Sequence, residues 1–154
     1  MPMAPTRAHA KTASPARARS SLHCVRQASG TLSSMGDETT PKRLTDAQYH
    51  ARADALFAHL EATLDRWLQD DVIDIDTHRT GGLLELEFPG GSKVVVNTQP
   101  PLHEVWLAAR GGGWHFRWAD GRWIDSREGR EFFEVLSACA SQQAGRRLAF
   151  PAPV

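Results

Sequence analysis

The sequence predicts an α+β fold, a two-layer sandwich in which two helices pack on one face of an antiparallel sheet of about six strands. Three patterns carry this. A helical apolar repeat opens the part of the chain rich in large hydrophobes, short β-like runs with Gly- and Pro-containing turns fill its middle, and a second helical repeat closes it. Thr45 is a candidate N-cap, with Gln48 three residues on completing a capping box. Tyr49, Ala53, Leu56, Leu60, Leu64 and Trp67 then recur at three- and four-residue spacing, a helix running to about Leu68. Strand-like runs follow at 72–78, 83–88, 92–97, 104–109, 114–118 and 122–124. Turns at Gly81-Gly82, Pro89-Gly90-Gly91, Gln99-Pro100-Pro101, Gly111-Gly112-Gly113 and Ala119-Asp120-Gly121 separate them, and such short gaps favour antiparallel hairpins. The last helix is expected from Ser126 or Arg127 to Ala144, capped by Ser126, striped by Phe132, Leu136, Cys139 and Ala140, and ended by Gly145. With both helices on one face, the other face is left solvated or free to bind.

Length and composition bound the rest. A chain of 154 residues, 41% hydrophobic, has room for one globular domain and an appendage. No run approaches the length of a membrane span, so a soluble protein is expected. Cys24 and Cys139 lie far apart with no zinc-ligand spacing, which points to a reducing compartment; Cys139, on an apolar stripe, reads as a core residue. Basic and acidic residues balance at 18 each, but unevenly along the chain. The first 43 residues carry seven bases and two acids, the remaining 111 carry 11 bases and 16 acids. Residues 1–43, rich in Ala, Ser, Arg and Pro, are expected to be a disordered basic extension. Three readings compete for it: a transit peptide, a basic tail for anionic partners, or a mis-called start with Met35 as the true one, which is favoured. The folded domain is expected over 44–150, with 151–154 a tail.

Eight of the 16 acids fall between Leu44 and Asp76, facing only Arg52 and Arg66, a local balance of −6. On a helical wheel His50, Asp54, Glu61 and Asp65 fall within about 60° of one another, in a stripe flanking the apolar face. Asp70, Asp71, Asp74 and Asp76 follow directly. If the first strand lies at the edge beside the helix, these groups form one acidic ridge. Such a ridge can hold hard or borderline cations through carboxylate oxygen, aided by the His50 imidazole, or attract a basic protein surface. A merely solvated face that keeps an edge strand from aggregating explains the same pattern. The acidic domain argues against nucleic-acid binding. Neither a nucleophile elbow nor a phosphate-cradling glycine loop occurs. Four tryptophans, Trp106, Trp114, Trp118 and Trp123, lie in strands, where alternation exposes some of them if one face is open.

Four segments together resemble the bacterial members of the frataxin family, over about residues 44–150. They are Gly90-Gly91-Ser92-Lys93 before a Val-rich strand ending at Asn97; Pro101-Leu102-His103 leading to Val105-Trp106-Leu107-Ala108; Gly112-Gly113-Trp114-His115-Phe116; and the closing Gln142-Gln143-Ala144-Gly145. The resemblance implies a frataxin-like α-β sandwich and a cytoplasmic protein of iron-sulfur cluster assembly. It implies weak binding of ferrous or ferric iron on the ridge, with no organic cofactor. It also implies docking on a cysteine desulfurase and its scaffold, and regulation of cluster formation rather than catalysis. By position His50, Asp54, Glu61, Asp65, Asp74 and Asp76 match ridge residues, Asp70 and Asp71 fall in the variable connection, and Asn97, Gln99 and Trp106 match the sheet surface used for partner contact. Ala62, Arg66 and Leu68 stand where related sequences commonly carry acids, which puts the number of ions in doubt. A monomer is expected, with iron-driven oligomers as an alternative. Two rival functions stay open: ferroxidase or iron-storage chemistry at the ridge carboxylates, and a protein-binding module using the open sheet with incidental iron binding.

Overall fold

The structure, a computed structural model, describes residues 43–153. The basic extension, Cys24 and the start expected at Met35 lie outside the described residues. Helix α1 (Asp46–Gln69) begins where its capping box places it. The Thr45 hydroxyl accepts from the Gln48 N–H, and the Gln48 side chain accepts from the Thr45 N–H. Its buried face is Tyr49, Ala53, Leu56, Phe57, Leu60, Thr63 and Leu64, with Trp67 packed on Phe150. The helix closes as Asp71 adopts a left-handed φ of 52° and the Val72 N–H returns to the Trp67 carbonyl at 2.8 Å.

Six antiparallel strands then form a meander in chain order: β1 (Asp76–Thr80), β2 (Leu83–Glu87), β3 (Lys93–Gln99), β4 (Glu104–Ala109), β5 (Gly112–Ala119) and β6 (Arg122–Asp125). Helix α2 (Phe132–Ala144) follows, and both helices pack on the sheet. Alternation puts Leu84, Leu86, Val94, Val96, Val105, Leu107, Phe116 and Trp123 in the core between sheet and helices. At its far end Gly145 takes a φ of 65° and stops α2. The segment beyond is latched down: the Leu148 and Phe150 N–H groups donate to the Ser141 and Ser137 hydroxyls, each at 2.9 Å, and both apolar side chains are buried.

The largest differences from expectation are at the starts of two elements. The first strand begins at Asp76, not Val72. Asp76 pairs with Glu87, the last residue of β2, and the partner chain turns away beyond it, so residues 72–75 have nothing to pair with. The last helix begins at Phe132, not near Ser126. Asp125 Oδ2 instead accepts the Arg127 and Glu128 N–H groups at 3.1 and 2.7 Å, folding a turn that Gly129 leaves with a φ of 69°. The cap is Glu131, whose carboxylate accepts from the Phe133 and Glu134 N–H groups.

Candidate metal and docking surfaces

The carboxylates expected to form the ridge all reach the surface, but the fold sorts them into groups. From His50 to Asp70 is twenty residues, about 30 Å of helix at 1.5 Å per residue. Groups that far apart make a surface, not one coordination site. Among the described residues no three His, Cys, Asp or Glu side chains converge on a common metal position. Hard carboxylate oxygen with occasional imidazole suits iron or another divalent cation, held in an open and exchangeable way.

His50 lies apart, in a groove of about 550 Å³ at the start of α1, shared with Asp46, His103, Arg117 and Trp118. There His103 stacks on Tyr49 and its Nε2 lies 2.7 Å from Asp46 Oδ1. Asp54 and Glu61 sit midway along α1 and are both engaged by Arg79 of β1, at 3.5 and 3.0 Å. Asp65, Asp70, Asp71, Asp74 and Asp76 are exposed, and among the described residues none forms an ion pair. Strand β1 is an edge strand, but its alternation divides the ridge. Thr77 and Arg79 pair with the buried Leu86 and Leu84 and so face the helices; Asp76 and His78 pair with Glu87 and Glu85 and face the open side.

The open face has one tightly built patch. Asn97, Trp106 and His115 are consecutive cross-strand partners, as are Gln99, Glu104 and Arg117. The fold thus brings the three expected contact residues, Asn97, Gln99 and Trp106, together. Glu104 is only 4% exposed. Its carboxylate accepts from the Trp106 indole N–H at 2.8 Å and from the Arg117 guanidinium at 2.7 Å. Burial pushes the Glu104 carboxyl up, but these hydrogen bonds outweigh it and hold the group below its ordinary value. One face of the indole is covered by His115, whose ring stacks on it at 4.1 Å and 6°. Of the four strand tryptophans, Trp106 alone faces this side; Trp114 and Trp118 pair with Leu107 and Trp123 on the helix side.

Sequence reasoning missed Glu104, His115, Arg117 and Arg79. Glu104 was findable, since it stands two residues before Trp106 in one strand and must share its face. Arg79 was findable by extending the first strand past His78. Neither His115 nor Arg117 could be placed beside Trp106 without the register of β4 on β5.

A frataxin-like domain family matches residues 42–146, two thirds of the chain. This chain belongs to the frataxin family. A relative from Burkholderia mallei, the iron-sulfur cluster assembly protein CyaY, is 48% identical over 109 residues, covering 71% of this chain and 100% of its own. Among solved structures, frataxin from Psychromonas ingrahamii matches with a TM-score of 0.62 at 35% identity, over 71% of this chain and 100% of its own. A trimeric frataxin from the yeast Saccharomyces cerevisiae, complexed with ferrous iron, matches with a TM-score of 0.53 at 24% identity, over 70% and 93%. That last likeness is one of fold. As a frataxin, the chain has the two-layer architecture expected of it, and among the described residues no helix is long and apolar enough to cross a membrane.

Proposed function

We propose that this frataxin is a cytoplasmic, iron-binding regulator of iron-sulfur cluster assembly that docks on a cysteine desulfurase through its acidic edge. The observation that carries the reading is the row Asp65, Asp70, Asp71, Asp74 and Asp76, exposed and without ion pairs among the described residues. The name borne by its Burkholderia relative supports the pathway. Exposed carboxylates without a cage bind cations weakly and release them fast, which suits a sensor better than a catalyst. Iron on this edge neutralises the charge that attracts a basic partner surface, so iron loading and docking compete. Asp65→Lys with Asp74→Lys is therefore expected to weaken desulfurase binding at low salt; unchanged affinity would sink the reading.

The Trp106 patch favours a second contact. A half-exposed indole held rigid by Glu104 and His115, beside Asn97 and Gln99, has the form of an interface anchor for the scaffold protein. Scaffold binding by Trp106→Ala, measured with and without desulfurase, tests it; unaltered binding removes the sheet from the account.

A further inference from the structure

Asp54 and Glu61 lie two turns apart on α1 with Phe57 between them on the inner flank. Arg79 comes across from the edge strand and lies over that ring, its guanidinium carbon 5.0 Å from the Phe57 centroid. One arm, Nη1, donates to Glu61 Oε2 at 3.0 Å; the other, Nη2, is 3.5 Å from Asp54 Oδ1. Strand alternation directs the side chain here, since Arg79 pairs with the buried Leu84 and must face the helices. The guanidinium is thus fixed by an aromatic face beneath and a carboxylate at each end. Toward the end of α1 the arrangement stops: among the described residues, Asp65, Asp70, Asp71 and Asp74 have no cation within ion-pair distance.

We propose that Arg79 is a built-in counter-cation that closes the Asp54 and Glu61 section of the ridge to metal ions. The inference rests on the ridge being a cation surface and adds which part of it is closed. An incoming divalent ion near Asp54 or Glu61 meets a fixed positive charge and must displace a guanidinium held on three sides. Asp65 has no guanidinium within ion-pair distance among the described residues, and its neighbour Arg66 is turned back onto the Ala62 carbonyl and the Thr63 hydroxyl, each at 3.4 Å. Arginine stays charged at any working pH, so the closure does not depend on pH and is set by one side chain.

The test is a titration of the full chain with Mn²⁺, read as paramagnetic broadening of the side-chain carboxyl ¹³C signals, in wild type, Arg79→Gln and Arg79→Lys. Wild type should broaden at Asp65, Asp70 and Asp74 before Asp54 and Glu61. Arg79→Gln should tighten apparent affinity at Asp54 and Glu61 by about three- to tenfold, the scale of removing one screened charge a few Å away. Arg79→Lys keeps the charge and should stay close to wild type. Equal broadening of all sites in wild type, or no gain at Asp54 and Glu61 in Arg79→Gln, overturns the inference while a response at Asp65 leaves the ridge reading standing. Silence at Asp65, Asp70 and Asp74 in every variant overturns the ridge reading instead, and a gain at Asp54 and Glu61 in Arg79→Gln would still uphold the role of Arg79. Silence at every site in every variant overturns both.

Discussion

Along the acidic edge, Asp65, Asp70, Asp71, Asp74 and Asp76 stand in solvent without an ion pair among the described residues, whereas on the open sheet the Glu104 carboxylate is buried and holds Trp106 and Arg117 at 2.8 and 2.7 Å. Both surfaces are rich in polar groups, yet in the docking roles proposed for them they would work through different physics. The edge would act through its summed field, which reaches about 10 Å at 0.1 M salt and tolerates imprecise geometry. The sheet patch would act through shape: its side chains are already bonded to one another, so little ordering entropy would remain to be lost on contact. A charge change should therefore be felt in salt dependence at the edge, and a shape change should be felt equally at all salts on the sheet.

The sharpest way to break that contrast is Trp106→Ala. If Trp106 is the anchor proposed above, its loss is expected to cost partner affinity about 2 kcal/mol or more, roughly 30-fold, at both low and high salt. Titration calorimetry at two ionic strengths checks this, and a loss that fades as salt rises would place Trp106 in the electrostatic class.

Glu104→Gln probes the support behind the indole. It should lower folding stability by about 1–2 kcal/mol in denaturant melts, because a charge-assisted bond to Arg117 is lost and Trp106 keeps a poorer acceptor. The pH dependence has a definite sign. Folding holds the Glu104 carboxyl below its ordinary value of 4.5, so its contribution is complete above that pH and is lost as pH falls through the folded value. Burial raises Glu131 in the opposite sense, despite its bonds to the α2 N–H groups. The difference between wild type and Glu104→Gln isolates Glu104: it should shrink on acidification below pH 4.5, and a difference that grows there would contradict the assignment.

Asp65→Lys with Asp74→Lys should weaken binding to a basic partner by about tenfold at low salt, and by little near 0.5 M, where the screening length is only a few Å. Folding stability should move by less than about 0.5 kcal/mol, because neither carboxylate is bonded in the fold. Surface plasmon resonance across a salt series, beside a thermal melt, separates the two. The smallest effect is expected for Asp65→Asn alone. It relieves an i,i+4 repulsion from Glu61 worth about 0.2–0.5 kcal/mol at most, and less here because Arg79 already shields Glu61. A destabilised Asp65→Asn would mean that Asp65 is bonded in solution.

Much of this was legible in the residues. The Thr45–Gln48 capping box, the α1 stripe, the left-handed Gly145 and the buried Cys139 all stand where local pattern put them. Burial raises the Cys139 thiol, in keeping with a core residue. The late start of α2 was not legible, because Gly129 leaves the Asp125 turn with a φ of 69° and Glu131 bridges back to Ile124 before the helix begins. Asn97, Gln99 and Trp106 were legible as a group only through the family resemblance. Nothing within β3 and β4 taken singly says that Asn97 stands opposite Trp106.

By itself, then, the sequence determined the order of elements, the buried stripe of each helix, the Thr45 cap, the Gly145 stop, and the crowding of acids between Leu44 and Asp76. All of these follow from spacings inside one element, where a period of 3.6 or 2 residues fixes which side chains share a face. Only the tertiary structure decided that Arg79 lies between Asp54 and Glu61, that Asp76 faces away from α1, and that Glu104, Trp106, His115 and Arg117 form one bonded patch. Those facts depend on strand register and on which strand ends up at the edge. Both are set by the pairing of residues distant in the chain, which no local periodicity encodes.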